Sequence, residues 1–263
     1  MAEISSLKYP VVLVHGIIAH DRTKYFNFWG RIPKILNEKG IQVFFGNTDS
    51  WGGYESNAKI LKENIEKIFR DTRTEKVNII SHSKGGIDSR YLIWKYNFGE
   101  KIASLTTIST PHHGSELADL IFQKNIIHSN IGKKALDIFG KLYGDTNPDL
   151  FNVNYQLTTA RMRNFNENVI MDERVYCQSL YTTMKNSFDD LMFSGSHRYL
   201  RNAIGENDGM VCEYSAKWGD NIIKIDDGIS HAEILDYKKK NISGVNIPDI
   251  YINLIEGLKE KGF

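Results

Sequence analysis

Over the first 110 residues, short unbroken apolar runs alternate with amphipathic stretches. Val11-Val12-Leu13-Val14 is apolar throughout and mostly β-branched, the pattern of a strand covered on both faces of a parallel sheet. It stops at His15-Gly16. Trp29, Ile32, Ile35 and Leu36 recur at helical spacing and predict a helix over 29–39, with Gly40 as its stop. A strand over 42–45 follows. Ile60, Leu61, Ile65, Ile68 and Phe69 form a stripe opposite Lys62, Glu63, Glu66 and Lys67, which predicts a longer helix over 55–70. A strand over 77–81, a helix over 85–96 and a strand over 102–108 complete the series. This alternation predicts βαβ units, and so an α/β fold with a mostly parallel sheet and right-handed crossovers covering both faces.

The regularity breaks between Ser115 and Asn168. There, helical patterns and the loop signal Gly144-Asp145-Thr146-Asn147-Pro148 occur without a convincing strand. The stretch reads as a helical insertion, a lid or cap at about 115–168, within one domain spanning 1–263. Strand character returns at 174–181 and 221–225, and an amphipathic helix fits 248–259.

Composition narrows the function classes. The chain has 263 residues, of which 41% are hydrophobic, enough for one sizeable core. Thirty-three basic against thirty-two acidic residues give a net charge of +1, which removes the electrostatic case for nucleic acid. The one run of like charge, Lys238 to Lys240, reads as a solvated helix end. No apolar run is long enough to span a membrane. Met1 to Tyr9 lacks the basic start and apolar core of a signal peptide, so the chain as written reads as soluble and cytoplasmic, with export of a longer precursor left open. A monomer is assumed. Cys177 and Cys212 have neither a metal-binding nor a redox spacing, and a disulfide between them is left open.

The candidate chemistry lies at Ser81-His82-Ser83-Lys84-Gly85, between a predicted strand and a predicted helix. A serine hydroxyl becomes a useful nucleophile when it is exposed on a tight turn beside a base and beside donors for an oxyanion. The elbow pattern G-x-S-x-G needs small residues on both sides of the serine, because strand and helix nearly touch there. Here the first glycine is Ser81, still a small residue. Ser83 is the candidate nucleophile. The N–H of Lys84 and that of Ile17, in the loop after the first strand, are the candidate oxyanion donors. Of eight histidines, only His231 follows the last strand-like run, which makes it the candidate base. His82 suits a supporting role. For the orienting acid, Asp208 competes with Asp189 and Asp190.

Taken together, Tyr9 to Gly16, Lys76 to Gly86, Thr110 to Ser115, Asn207 to Val211 and the later His231 resemble, in order and spacing, the bacterial true lipases of family I. These are the Pseudomonas-type members of the α/β-hydrolases. The resemblance implies Ser83, His231 and Asp208 as catalytic triad and the N–H groups of Ile17 and Lys84 as oxyanion hole. It also implies a mobile helical lid, for which Ile131, Ala135, Ile138, Phe139 and Leu142 would supply an apolar face. A structural calcium near the histidine is implied too, with Asp189, Asp190 and Glu233 near the carboxylate positions, although Tyr237 at a later ligand position suits calcium poorly. The family's disulfide does not fit the positions of Cys177 and Cys212.

The expected activity is hydrolysis of an acyl ester or lipid through an acyl-enzyme, with no cofactor needed for the chemistry. An acyltransferase or thioesterase with the same triad is the alternative, and a non-catalytic scaffold binding a hydrophobic partner comes last.

Overall fold

In the computed structural model, residues 7–17, 20–21, 28–123, 144–219 and 221–263 are described. Among these residues, six strands form one sheet: β1 (Val11–Val14), β2 (Val43–Phe45), β3 (Val77–His82), β4 (Ile102–Ile108), β5 (Tyr176–Thr182) and β6 (Asn221–Ile225). Their order is β2-β1-β3-β4-β5-β6, and every neighbouring pair is parallel. The main covering helices are α1 (Ile32–Glu38), α2 (Tyr54–Thr72), α3 (Lys84–Lys95) and, after helices α4 to α8 described below, α9 (Ile247–Glu260).

The two-residue alternation of a strand divides the core between the two faces of the sheet. Val11 and Leu13, with Ile80 and Ile108, pack under α1 and α9 against Trp29, Ile32, Tyr251 and Leu254. Val12 and Val14, with Val77 and Ile79, pack under α2 and α3 against Leu61, Ile65 and Leu92. Central β1, β3 and β4 are buried at every position, whereas the edge strands β2 and β6 are buried at none, which is why only the central runs read as continuously apolar.

The insertion contributes three described helices, α4 (Glu116–Gln123), α5 (Leu150–Gln156) and α6 (Thr159–Asn168). They pack on α3 through Ala118, Val153, Met162 and Phe165 around Ile87. No strand occurs among the described residues of this stretch. The apolar stripe from Ile131 to Leu142, expected to face a lid, lies outside the described residues. Two further helices, α7 (Ser194–Ala203) and α8 (Glu213–Ala216), lie between β5 and β6 in the chain and were not expected from the sequence. Among the described residues, no helix is long and apolar enough to cross a membrane.

The chain passes from β1 to β2 on one side and then to β3 on the other, so strand order reverses beside β1. Such a reversal opens a crevice at the carboxyl ends of the strands. The loop after β1 and the turn after β3 both end there.

Candidate active site

The turn after β3 holds Ser83 at φ 53°, ψ −131°, a conformation that ordinary side chains avoid. Strain of this kind costs about 1–3 kcal/mol and persists where the surroundings enforce it. Here they do. The Ser83 N–H donates to Ile108 O at 2.9 Å, and its carbonyl accepts from Thr110 Oγ1 at 2.8 Å. A Cβ on Gly85 would stand 2.4 Å from His15 O and 2.7 Å from Val14 O, so the helix can approach β1 only with glycine there. Gly16 is equally tied, since its Cβ would meet Ser83 Cβ at 2.6 Å.

Ser83, His231 and Asp208 come together in one hydrogen-bonded line. His231 Nε2 lies 3.0 Å from Ser83 Oγ, and His231 Nδ1 lies 2.7 Å from Asp208 Oδ2. With Asp208 as acceptor, Nδ1 carries the proton and Nε2 is left to accept from the serine. The second oxygen of Asp208 is fixed by the N–H groups of Met210 and Val211, at 2.9 and 2.8 Å. Asp208 itself is 1% exposed. Asp189, one of its two rivals, instead accepts from the backbone of Lys185 and Asn186, which closes its own turn.

His231 is fixed from both ends of its backbone. Its N–H donates to Asp208 O at 2.8 Å, and its carbonyl accepts from His82 Nε2 at 2.9 Å. The His82 ring lies 4.6 Å from that of His231, centroid to centroid. Burial, with the neighbouring His231 adding to it, drives the His82 pKa well below the usual histidine range, so the ring stays neutral. A neutral ring that donates from Nε2 leaves Nδ1 as an acceptor, and Nδ1 has no partner among the described residues. The supporting role expected of His82 thus takes the form of a bond that fixes the His231 carbonyl, 149 residues along the chain.

Ile17 lines the pocket above Ser83, and Lys84 opens α3. Neither N–H is taken by a backbone acceptor among the described residues, as befits the orphan donors of a first helical turn and a loop. The Lys84 side chain has a function the sequence hides. It is 2% exposed, and Nζ donates to both oxygens of Asp88 at 2.9 and 2.7 Å, away from the pocket. Burial raises the Asp88 pKa against the pull of Lys84, while Asn57 Nδ2 donates to the same carboxylate at 2.8 Å. Removing one partner of such a buried pair costs about 3–5 kcal/mol.

The pocket at Ser83 is walled mainly by Phe28, Met192, Phe193, Met210 and Leu235, and so is overwhelmingly apolar. Polar groups enter it chiefly from Ser83 and the two histidines.

The calcium set implied by the resemblance does not assemble. Asp189 is consumed by its own turn. Asp190 accepts from Ser230 Oγ at 2.7 Å, Glu233 accepts from Ser230 N at 3.0 Å, and Lys238 Nζ sits 2.6 Å from Glu233 and 3.5 Å from Asp190. An ammonium between the two carboxylates already supplies the charge a divalent ion would bring. Among the described residues, no group of three or more His, Cys, Asp and Glu could hold a metal ion. Lys238 is correspondingly no solvated helix end: it lies in a turn after the short 3-10 helix Glu233–Leu235. Charge patterning had no means of finding it, because both partners are brought to it by tertiary structure. Cys177 and Cys212 are both thiols.

The chain is similar to known proteins. The family model for palmitoyl protein thioesterase matches residues 10–194. Triacylglycerol lipase 2 of Saccharomyces cerevisiae is 30% identical over 257 residues, covering 90% of this chain and 74% of that protein. A triacylglycerol lipase of Pseudomonas fragi is 35% identical over 119 residues, 45% of this chain and 40% of its own length. The chain thus spans most of the yeast relative but well under half of the Pseudomonas one. Among solved structures, a mature Bacillus licheniformis lipase superposes with a TM-score of 0.68 at 24% identity, over 94% of this chain and 91% of that one. A metagenomic carboxyl esterase reaches 0.77 at 17% identity, over 98% and 78%. The chain belongs to the lipases of the α/β-hydrolase superfamily, within the family that the palmitoyl protein thioesterase model describes, and is a serine ester hydrolase.

Proposed function

We propose that this chain cleaves acyl esters of lipids, with Ser83 as nucleophile, His231 as general base and then acid, and Asp208 as the carboxylate that orients it. The observation that carries the reading is the line Ser83 Oγ, His231, Asp208 at the floor of an apolar pocket. Ser83 Oγ attacks the ester carbonyl while its proton passes to His231 Nε2, and Asp208 stabilises the imidazolium so formed. The carbonyl oxygen gains negative charge and turns toward the N–H groups of Ile17 and Lys84. His231 then protonates the departing alkoxide, which leaves as the alcohol, and Ser83 keeps the acyl group. Water repeats the sequence: His231 takes its proton, the hydroxyl adds to the acyl carbonyl, and Ser83 recovers its proton as the acid leaves. The apolar walls suit the acyl chain better than a charged substrate.

The description of the family model favours one second reading, a thioesterase that uses the same groups on a thiolate leaving group. A series of 4-nitrophenyl esters of rising acyl length, run beside acyl thioesters of the same lengths, separates the two. The wild type is expected to turn over oxygen esters at least as fast as thioesters. Ser83→Ala is expected to lose about 10⁴-fold or more in kcat. Full activity in that variant, or no ester turnover by the wild type, would sink the proposal; a clear preference for thioesters would favour the second reading.

A further inference from the structure

Next to His231 in the chain, two carboxylates and one ammonium meet. Glu233 is 2% exposed and Asp190 5%. Glu233 belongs to the segment after β6 that carries His231, and Asp190 belongs to the separate segment between β5 and α7. Ser230, the residue before His231, joins them: its N–H donates to Glu233 Oε2 at 3.0 Å, and its hydroxyl donates to Asp190 Oδ2 at 2.7 Å. The N–H of Met192 takes the other oxygen of Asp190 at 3.2 Å. Two carboxylates with so little water need a cation to stay charged side by side. Lys238 Nζ provides it, at 2.6 Å from Glu233 Oε1 and 3.5 Å from Asp190 Oδ2. Burial opposes the charge on Lys238, but its bond to Glu233 and the field of both carboxylates outweigh that and hold the ammonium above the usual lysine range.

We propose that Lys238 is a positioning residue, a built-in cation that fastens the His231 loop to the Asp190 segment and replaces the metal ion a pair of carboxylates there would otherwise recruit. The path to the chemistry is short. Lys238 holds Glu233 and Asp190, these hold Ser230 by its N–H and hydroxyl, and the next residue presents Nε2 to Ser83. Without the ammonium the two anions repel, Ser230 loses one or both anchors, and the imidazole is no longer fixed on the serine. An error of about 1 Å there is enough to cost up to about 100-fold in rate. Met192, whose N–H bonds Asp190, also walls the acyl pocket, so KM shifts as well, but the larger loss falls on kcat, which reads the placement of His231 Nε2.

The inference rests on the reading of His231 as the base, and its test separates the two. Lys238→Met and Lys238→Arg would be compared with wild type for kcat, KM and thermal midpoint, each with EDTA and with millimolar calcium. In wild type, neither EDTA nor calcium is expected to move the midpoint or kcat. Lys238→Met is expected to lose about tenfold or more in kcat, with a smaller change in KM, at a temperature where it is fully folded. Lys238→Arg, which keeps a cation within reach of both carboxylates, is expected to recover most of the loss. A wild type stabilised by calcium would overturn the proposal. So would a Lys238→Met enzyme with wild-type kcat, whatever its midpoint, or an arginine variant no better than the methionine one. If the wild type hydrolyses no ester at all, the functional reading fails instead, while the midpoints with EDTA and calcium still decide whether Lys238 is the cation of this cluster.

Discussion

Ser81 stands where the elbow pattern has its first glycine, and its surroundings explain why a small residue is required. It is completely buried, lies between Val14 and Thr107 in neighbouring strands, and its hydroxyl donates to Thr106 O at 3.3 Å. Ser81→Gly removes that bond and adds backbone freedom, a loss of about 1 kcal/mol, so it is expected to fold and retain activity. Ser81→Leu must fit its side chain into the fully buried face of β3 just before the strained Ser83, where overpacking costs about 1–3 kcal/mol and displaces Ser83. Thermal midpoints and ester turnover of the two variants check this, and a fully active leucine variant would mean that the turn tolerates bulk. At this scale the sequence was informative where a residue's type is dictated by its chemistry or its contacts. Ser83, Gly85 and His231 were legible for that reason. The partners of Lys84 and Lys238 were not, because a lysine in a polar stretch has the same local signature whether it faces solvent or a buried carboxylate.

Among the elements, the central strands were the most legible, since burial on both faces leaves no polar position to blur the pattern. The expected strand at 102–108 and the one at 221–225 match β4 and β6 in full, and helices α2 and α9 extend by a residue or two beyond their expected ends. Helix α7 was missed for a physical reason: only His197 and Leu200 in it are buried, and one of the two is polar. The loop after β2 was also opaque, yet it anchors the chain where the insertion returns. Asp145 accepts from the N–H groups of Ser50 and Trp51 at 2.8 and 2.9 Å, and His20 Nε2 lies 2.9 Å from the same carboxylate. Asp145 in turn raises the His20 pKa, mainly through that contact, although burial opposes it. For Asp145, burial pushes the pKa up, but His20 and the two backbone donors outweigh it and bring it below the usual value. A histidine with a raised folded pKa stabilises fully below about pH 6.5 and loses the contribution as pH rises through the folded value. A carboxylate with a lowered pKa stabilises above about pH 4 and loses it on acidification. The anchor is therefore expected to be strongest between about pH 4 and 6.5. In thermal midpoints measured across pH, the advantage of wild type over His20→Gln should be largest in that window and fade toward pH 9; an advantage that grows with pH would contradict the pairing.

For the whole molecule, the near balance of charge and the two dispersed cysteines leave stability to the core on either side of the sheet. Cys212 is 1% exposed, and burial, with Glu116 nearby, raises its thiol pKa to about 12. Such a thiol is inert in the native state. Titration with a thiol reagent is expected to find both cysteines in denatured, unreduced protein and to leave Cys212 unreacted in native protein, and reductant should not shift the thermal midpoint. Absence of thiols in the denatured chain would reveal a bridge. The architecture has one further consequence. Every neighbouring pair of strands is parallel, so each pairing must wait for a crossover to close, and Ser83 and His231 are 148 residues apart. Contacts of that separation form late and slowly, because chain entropy is lost before the contact repays it. The segment after β6 brings His231 to a serine whose strained turn depends on β1, β3 and β4 being already in register. During refolding, the ability of Ser83 to take an acylating reagent should thus mark the final docking event, a clock for complete molecules that helix content, reached earlier, does not provide.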